Sequence, residues 1–137
     1  MGINYGTAMI LSKTSVFKKY KSSTGNCSVM MLGRQTMSLI NDNQIKAVTN
    51  SFKEYGGINI REESVKIDTY ADSFLSDIGA SHIDSLDYSE FEGGSVVRDL
   101  NIKFSGDSRN DNIKEKYDIV LDFGTSEHIF NPSISIA

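Results

Sequence analysis

The sequence has only one cysteine, Cys27, so no internal disulfide can form, and that usage fits a reducing compartment. It has one proline, Pro132, so no Pro-rich linker divides the chain. No apolar stretch approaches the roughly 20 residues that a membrane-spanning helix needs. The N-terminus lacks the charged-then-apolar order of a secretory signal. Gly6 stands where a myristoylation signal opening on Met1-Gly2 needs Ser or Thr. Positive charge is also in short supply. Lys and Arg total 14 against 18 Asp and Glu, a formal net charge of −4, which gives no footprint for nucleic acid or anionic lipid. The short cluster Lys18-Lys19-Tyr20-Lys21 reads as a solvated helix end. These absences lead us to expect a cytoplasmic protein with neither a membrane nor a nucleic-acid partner.

Nucleotide signatures are missing too. A dinucleotide site calls for G-x-G-x-x-G after the first strand, because pyrophosphate needs close amides at a helix N-terminus. Here the turn reads "LGRQTM", with one glycine. No G-x-x-x-x-G-K-[ST] occurs, which disfavours a nucleoside triphosphatase. One cysteine and two distant histidines, His82 and His128, make no metal signature. No conspicuous nucleophile stands out.

What is present suits one globular domain. The chain has 137 residues, 39% hydrophobic and 23% charged, enough for a single core in the ordinary soluble range. Residues 3–20 read weakly as a helix and 22–26 as a loop, so 1–26 is expected to be a helical extension. Val29, Met30, Met31 and Leu32 form a continuous apolar run ending at Gly33, which suits a strand buried on both faces. The clearest helix is "NDNQIKAVTNSFKEYGG", with Ile45, Val48, Phe52 and Tyr55 at steps of three and four, Asn41 or Asp42 as cap, and Gly56-Gly57 as terminator. Residues 58–66 are ambiguous between a short strand and an extended linker. A second helix is expected in "DTYADSFLSDIGA", with Tyr70, Phe74, Leu75 and Ile78 on one face, Asp68 or Thr69 as cap and Gly79 as terminator. Further strands are expected in "SHIDSL", around Val96-Val97, and at Ile119-Val120-Leu121, the last after a polar stretch over 105–116. Strands alternating with helices imply an α/β domain with a mainly parallel sheet and right-handed crossovers. In such sheets ligands bind beyond the carboxyl ends of the strands.

Those ends carry a pattern. Gly33 follows the first strand, Asp87 the second, Asp99 the third, and Asp122 ends the last. Carboxylates on one rim can accept hydrogen bonds from ribose hydroxyls, an exocyclic amine or an ammonium group. Taken singly, each aspartate is more ordinarily a cap for the turn that follows. A ligand rich in hydroxyls and amines but lacking phosphate fits these acids better than a nucleotide.

Two blocks, "TYADSFLSDIGASHIDSLDYSEFEGGSVVRDLN" and "YDIVLDFGTSEHIFN", together with Leu32-Gly33-Arg34-Gln35, resemble a bacterial and phage-associated group of class I S-adenosylmethionine-dependent methyltransferases. The resemblance spans roughly residues 27–132. It implies a Rossmann-like three-layer sandwich with a mainly parallel sheet of order 3-2-1-4, incomplete beside the seven-stranded methyltransferase fold. It implies S-adenosylmethionine as cofactor and a small-molecule or sugar-like methyl acceptor. Carried over position by position, Gly33 lies beside the cofactor, Asp87 at the ribose (with Asp84 a nearby competitor), and Asp99 near the adenine amine. Asp122 and Gly124 then border the methionine end. Ser126 departs from the group's usual apolar residue and Phe91 from its tyrosine. Thr125 or Ser126 is expected to cap the next helix, placing Glu127 and His128 in its first turn. His128, with Glu127, is the candidate catalytic base, since imidazole titrates near neutrality. The favoured reading of the pair is packing and hydrogen bonding. His82 is expected to be structural.

The group's domain continues past its fourth strand, whereas this sequence ends at "NPSISIA". We therefore expect a truncated domain, 1–137, with an open sheet edge through which copies can associate. Two alternatives stand beside methyl transfer. One is a non-catalytic Rossmann-like binding or interaction module. The other, weaker, is a nucleotide-sugar or dinucleotide oxidoreductase.

Overall fold

A computed structural model of the chain describes residues 2–14, 16–19, 25–102 and 116–130. Its elements in chain order are Gly2–Asn4 (β1), Tyr5–Lys13 (α1), Ser28–Leu32 (β2), Thr36–Ser38 (β3), Asp42–Gly56 (α2), Asp72–Ile78 (α3), His82–Asp87 (β4), Val96–Val97 (β5) and Ile119–Asp122 (β6). Single turns of 3₁₀ helix occur at Glu62–Val65 and Ser126–His128.

The fold is α/β with parallel sheets. The main sheet has four strands in the order β5-β4-β2-β6, and each neighbouring pair is parallel. β2 lies inside it because its apolar run can be covered on both faces. Val29, Met30 and Met31 are all buried, as a run without polar alternation requires. A parallel partner cannot be reached by a tight hairpin. The chain therefore travels from β2 to β4 through β3, α2, the first 3₁₀ turn and α3.

That crossover builds the principal core. Val48 and Phe52 of α2 and Phe74, Leu75 and Ile78 of α3 pack with Val29 and Met31 of β2 and Ile119 and Leu121 of β6. Phe52 and Phe74 meet edge to face, with ring centroids 5.5 Å apart. α2 is closed at both ends by side-chain and backbone chemistry. Asn41 accepts from the Gln44 amide at 3.0 Å, the Gln44 side chain accepts from the Ile40 amide at 2.8 Å, and Gly57 takes the left-handed conformation at φ 63°. The opposite face of the sheet carries a smaller cluster of Met30, Leu86 and Leu100, packed with Leu32, Val96, Tyr117 and Ile129. Leu100, Tyr117 and Ile129 lie outside the strands and helices. Among the described residues the helices thus cover one face, and the other carries the smaller cluster. No helix of the described residues is long and apolar enough to cross a membrane.

The structure revises four expectations. The segment expected to be helical over 3–20 is helical at Tyr5–Lys13 and 16–19, but it opens as β1, which pairs in parallel with β3 in a separate two-stranded sheet. Ile3 is fully buried there, opposite Met37, so this segment belongs to the core and is not an appended helix. Neither Asp68 nor Thr69 caps α3. Ala71 occupies the cap position without a side-chain bond, while the Thr69 hydroxyl donates to the Lys66 carbonyl. Tyr70 falls off the helix face, bridges to Thr36 and is 41% exposed. Residues 58–66 are neither strand nor wholly extended, since they end in the turn Glu62–Val65. The expected loop at 22–26 lies outside the described residues except for Gly25 and Asn26, as does the polar stretch 105–116 except for Lys116. Tyr20, Lys21, Pro132 and the "NPSISIA" terminus lie outside them as well.

The smaller cluster is tied across β2 by one polar contact. Tyr117, just before β6, donates its hydroxyl to Asp84 of β4 at 2.7 Å, and His82 Nε2 lies 2.7 Å from the same carboxylate oxygen. The His82 and Tyr117 rings stack at 6.4 Å. Burial alone raises the Asp84 carboxyl. Hydrogen bonds from Ser95, Tyr117 and His82 outweigh it and hold the group below its ordinary value. Burial and the Asp84 carboxylate push the Tyr117 phenol above its ordinary value. A lowered acid stabilises the fold above the ordinary carboxylate range, and that contribution fades as pH falls through the lowered value. A raised phenol stabilises the fold below the ordinary phenol range, and that contribution fades as pH rises through the raised value. Tyr117→Phe is expected to cost about 1–2 kcal/mol at neutral pH, read by urea unfolding, as for a lost hydrogen bond to a charged acceptor. The variant is also expected to unfold at higher pH on the acid side than the wild type.

Candidate functional site

Parallel register sets the site. Leu32 of β2 pairs with Leu86 of β4 on one side and with Asp122 of β6 on the other. Asp87 pairs with Val97 of β5. The carboxyl ends of all four strands therefore finish at one level, with strands about 4.8 Å apart. Gly33 donates its amide to the Leu86 carbonyl at 2.7 Å, and Arg98 donates its amide to the Asp87 carbonyl at 2.7 Å. Gly33, Asp87, Asp99 and Asp122 stand along this rim.

Two clefts open beside Asp87. The first has a volume of about 240 Å³, with Asp87, Asp99, Asn101, Thr125 and His128 on its polar wall and Leu86, Leu100 and Ile129 on its apolar wall. The second has a volume of about 340 Å³ and is lined by Gly33, Arg34, Thr36, Tyr70, Asp87 and Glu92. Asp87 alone among the candidate acids borders both. Asp122, Gly124 and Glu127 border neither.

The acids differ in how much accepting capacity remains. A carboxylate offers about four lone-pair positions. Asp122 uses them on its own turn. Its Oδ1 accepts from the amides of Gly124, Thr125 and Ser126 at 3.3, 2.9 and 3.3 Å, and its Oδ2 accepts from the Ser126 hydroxyl. Burial raises this carboxyl, but the Ser126 hydroxyl and these amides outweigh burial and hold it below its ordinary value. Asp99 Oδ1 accepts from the Asn101 amide at 2.8 Å and its side-chain nitrogen at 3.0 Å. Asp87 Oδ1 accepts from the Tyr88 amide at 2.7 Å. Oδ2 of both Asp87 and Asp99 has no partner among the described residues, so these two acids can receive ligand donors while Asp122 serves the fold. Asp84, the competitor for the ribose position, is engaged with Tyr117 and His82 in the middle of β4 and borders neither cleft.

Gly33 is a glycine for two local reasons. Its φ is 70°, and a Cβ there would meet the Thr125 hydroxyl at 2.7 Å. Neither of the two candidate caps serves the following turn: the Ser126 hydroxyl donates to Asp122, and Thr125 donates its hydroxyl to the Leu32 carbonyl and so bolts the post-β6 turn onto the end of β2. Asp122 supplies the capping instead. Glu127 and His128 fall in the short 3₁₀ turn Ser126–His128. Both side chains are about two-thirds exposed, with His128 Nε2 3.6 Å from Glu127 Oε1, and His128 borders the first cleft.

Arg34 and Tyr70 escaped sequence reasoning as site residues. The guanidinium of Arg34 stacks 3.8 Å above the Tyr70 ring, with its Nε 3.5 Å from Asp72 and its Nη1 donating to the Glu92 carbonyl at 3.0 Å. The only signal was the arginine in the "LGRQ" turn itself. Cys27, the single thiol, is no candidate nucleophile. It is buried, and burial together with the Asp118 charge raises its pKa.

The Gly33–Thr125 contact is testable. Gly33→Ala combines left-handed strain with a side-chain clash and is expected to cost about 2 kcal/mol. In a Thr125→Ala background the clash is gone, so the same change should cost measurably less. Equal costs in both backgrounds, measured by chemical unfolding, would show that the two residues are not coupled.

Set against protein-family models, curated proteins and solved structures, the chain finds no match.

Proposed function

We propose that the rim binds S-adenosylmethionine and that the chain is a Rossmann-like methyl-transferring domain acting on a small-molecule or sugar-like acceptor. The observation that carries this reading is the placement of Asp87 and Asp99, each with an unpartnered carboxylate oxygen, on the wall of one cleft at the carboxyl end of a parallel sheet. The main-sheet order β5-β4-β2-β6 is compatible with the order 3-2-1-4 that the resemblance implies. That order is shared by dinucleotide-binding sheets, so the preference for a methyltransferase over other ligand-binding α/β domains rests on the resemblance of the sequence blocks.

In this reading Asp87 accepts from the ribose hydroxyls and Asp99 from the adenine amine, with Leu86, Leu100 and Ile129 supplying the apolar wall against the base. The cofactor's sulfonium supplies an electrophilic methyl group. The chain's own task is then alignment and exclusion of water. Asp122 holds the turn through Gly124 by its amide bonds, and Thr125 fixes that turn against β2. His128, exposed at the cleft and next to Glu127, is positioned to take a proton from an acceptor hydroxyl or amine.

A second reading, a non-catalytic binding module, draws on one observation. The space beside Gly33 is filled by Thr125 and the Asp122 carboxylate is saturated, so the turn that would flank a reactive methyl is built for packing. Calorimetry separates the readings. S-adenosylhomocysteine is expected to bind and NAD not to, with Asp87→Ala and Asp99→Ala each weakening the first by tenfold or more. Unchanged affinity in both variants would remove the assigned roles, and failure of both ligands to bind leaves the binding module.

A further inference from the structure

Residues 88–95, which join β4 to β5, are tied to the rest of the molecule at a single point along most of their length. Tyr88, Ser89, Glu90, Phe91, Glu92 and Gly93 are all exposed. Their own hydrogen bonds are short-range. The Tyr88 amide donates to the neighbouring Asp87 carboxylate, the Phe91 amide to the Ser89 hydroxyl, and the Gly93 amide to the Glu90 carbonyl. Among the described residues, the one hydrogen bond that joins 88–94 to anything beyond Asp87 runs from Arg34 Nη1 to the Glu92 carbonyl, at 3.0 Å. The chain returns to the sheet at Ser95, whose hydroxyl oxygen accepts from the Ser85 amide at 2.9 Å. A segment with so few ties opens more easily than the core beneath it.

The Arg34 end of the tie is rigid. Its guanidinium lies 3.8 Å over the Tyr70 ring, and Asp72 stands 3.5 Å from Nε. Both partners belong to the crossover between β2 and β4. Gly93 is shaped to the contact, with φ 72° and a site where a Cβ would meet Nη1 at 2.6 Å. Arg34 thus holds the segment toward the second cleft, which Arg34 and Glu92 both line.

Two aromatic rings ride on this segment almost uncovered. Phe91 is 91% exposed and Tyr88 75%. The first cleft, bordered by Tyr88, offers Leu86, Leu100 and Ile129 as an apolar wall. A chain running from Asp87 to Phe91 reaches about 13 Å when extended, enough to carry the Phe91 ring across such a cleft. A hydrogen bond from a guanidinium and the burial of a phenylalanine ring are of similar worth, so the two positions of the segment lie near balance. Gly93 and Gly94 supply the backbone freedom that a hinge needs. We propose that residues 88–95 are a strap that Arg34 latches open. When the Arg34–Glu92 bond breaks, the strap swings about Asp87 and the two glycines, and Phe91 closes over the first cleft. The device acts on whatever that cleft holds and does not depend on the nucleoside reading.

Ligand-free measurements on the full chain test it. The sequence has no tryptophan, so Phe91→Trp reports on the strap alone. Adding Arg34→Gln is expected to lower acrylamide quenching of that fluorescence about twofold, as a minor closed population becomes the major one. Gly93→Ala, which pushes Nη1 off the carbonyl while leaving Arg34 on Tyr70 and Asp72, is expected to do the same and serves should Arg34→Gln disturb folding. Disulfide trapping locates the closed ring. Asn101 is exposed and lines the first cleft, and Cys27, the one native thiol, is buried. The Phe91→Cys, Asn101→Cys pair is expected to cross-link slowly with Arg34 in place. With Arg34→Gln the rate should rise about fivefold, the change in an equilibrium that loses one hydrogen bond. Quenching that neither latch variant changes would show that Arg34 does not hold the ring out. Weaker quenching without the cross-link would place the ring elsewhere, and absence of the cross-link even with Arg34 in place would remove closure altogether; each of these results overturns the strap.

Discussion

The parallel pairing of β2 with β4 on one side and β6 on the other is the constraint on which the rest of the molecule depends. Leu32 faces Leu86 and Asp122 across the two ladders, so three strand ends are locked to one level before any ligand is considered. The pairing is possible because the side chains of β2 are apolar on both faces and both faces are covered. Slipping the register by one residue would turn Met30 toward the helices and Val29 and Met31 toward the thin cluster around Leu100, exchanging every packed contact of the central strand. The rim chemistry is therefore a consequence of core packing.

Local structure then competes with ligand for the acids on that rim. An unpaired amide after a strand has to be satisfied, and the nearest carboxylate usually does it. Asp122 shows the outcome in full, with three amides and a hydroxyl on one side chain. Asp99 and Asp87 show it in part, each keeping an oxygen that its own turn does not require. What separates a saturated aspartate from one with spare accepting capacity here is the number of backbone amides its turn leaves unsatisfied. That turns on loop conformation, which residue type and spacing do not reveal.

The same distinction explains what could be read from the sequence. The run Val29 to Leu32 and the periodic helix closed by Asn41 and Gly57 were legible because local patterns specify them. The strands around Ile83, Val96 and Val120 were legible for the same reason, as was the arrival of Gly33, Asp87, Asp99 and Asp122 at strand ends. β1 was not, because three residues carry no usable period and their partner, β3, lies more than thirty positions along the chain. Thr125 and Ser126 both fit a helix cap by type and position, but the Thr125 hydroxyl reaches 93 residues back to Leu32. Arg34 stood in the sequence only as a member of the Leu32-Gly33-Arg34-Gln35 turn. Its stacking on Tyr70 and its bond to the Glu92 carbonyl both depend on tertiary approach.

The connection between β4 and β5 shows how a short strand can shape the clefts at the rim. Parallel neighbours ordinarily need a crossover of a dozen or more residues, because the chain must return the length of the sheet. β5 is only two residues long and begins opposite Leu86, already near the rim, so residues 88–95 suffice and no helix forms among them. The connection therefore stays at the rim and passes close over the last residue of β4. A Cβ on Gly94 would meet the Asp87 Cβ at 3.1 Å. Tyr88 at its start borders one cleft and Glu92 near its end borders the other, so the connection divides the space beside Asp87 in two. Had β5 extended to the far edge of the sheet, a helix would have carried the chain away from the rim, and the two clefts would have lost the wall they share. Arg34 holds this segment in place through its bond to the Glu92 carbonyl, so the wall between the two clefts depends on that contact.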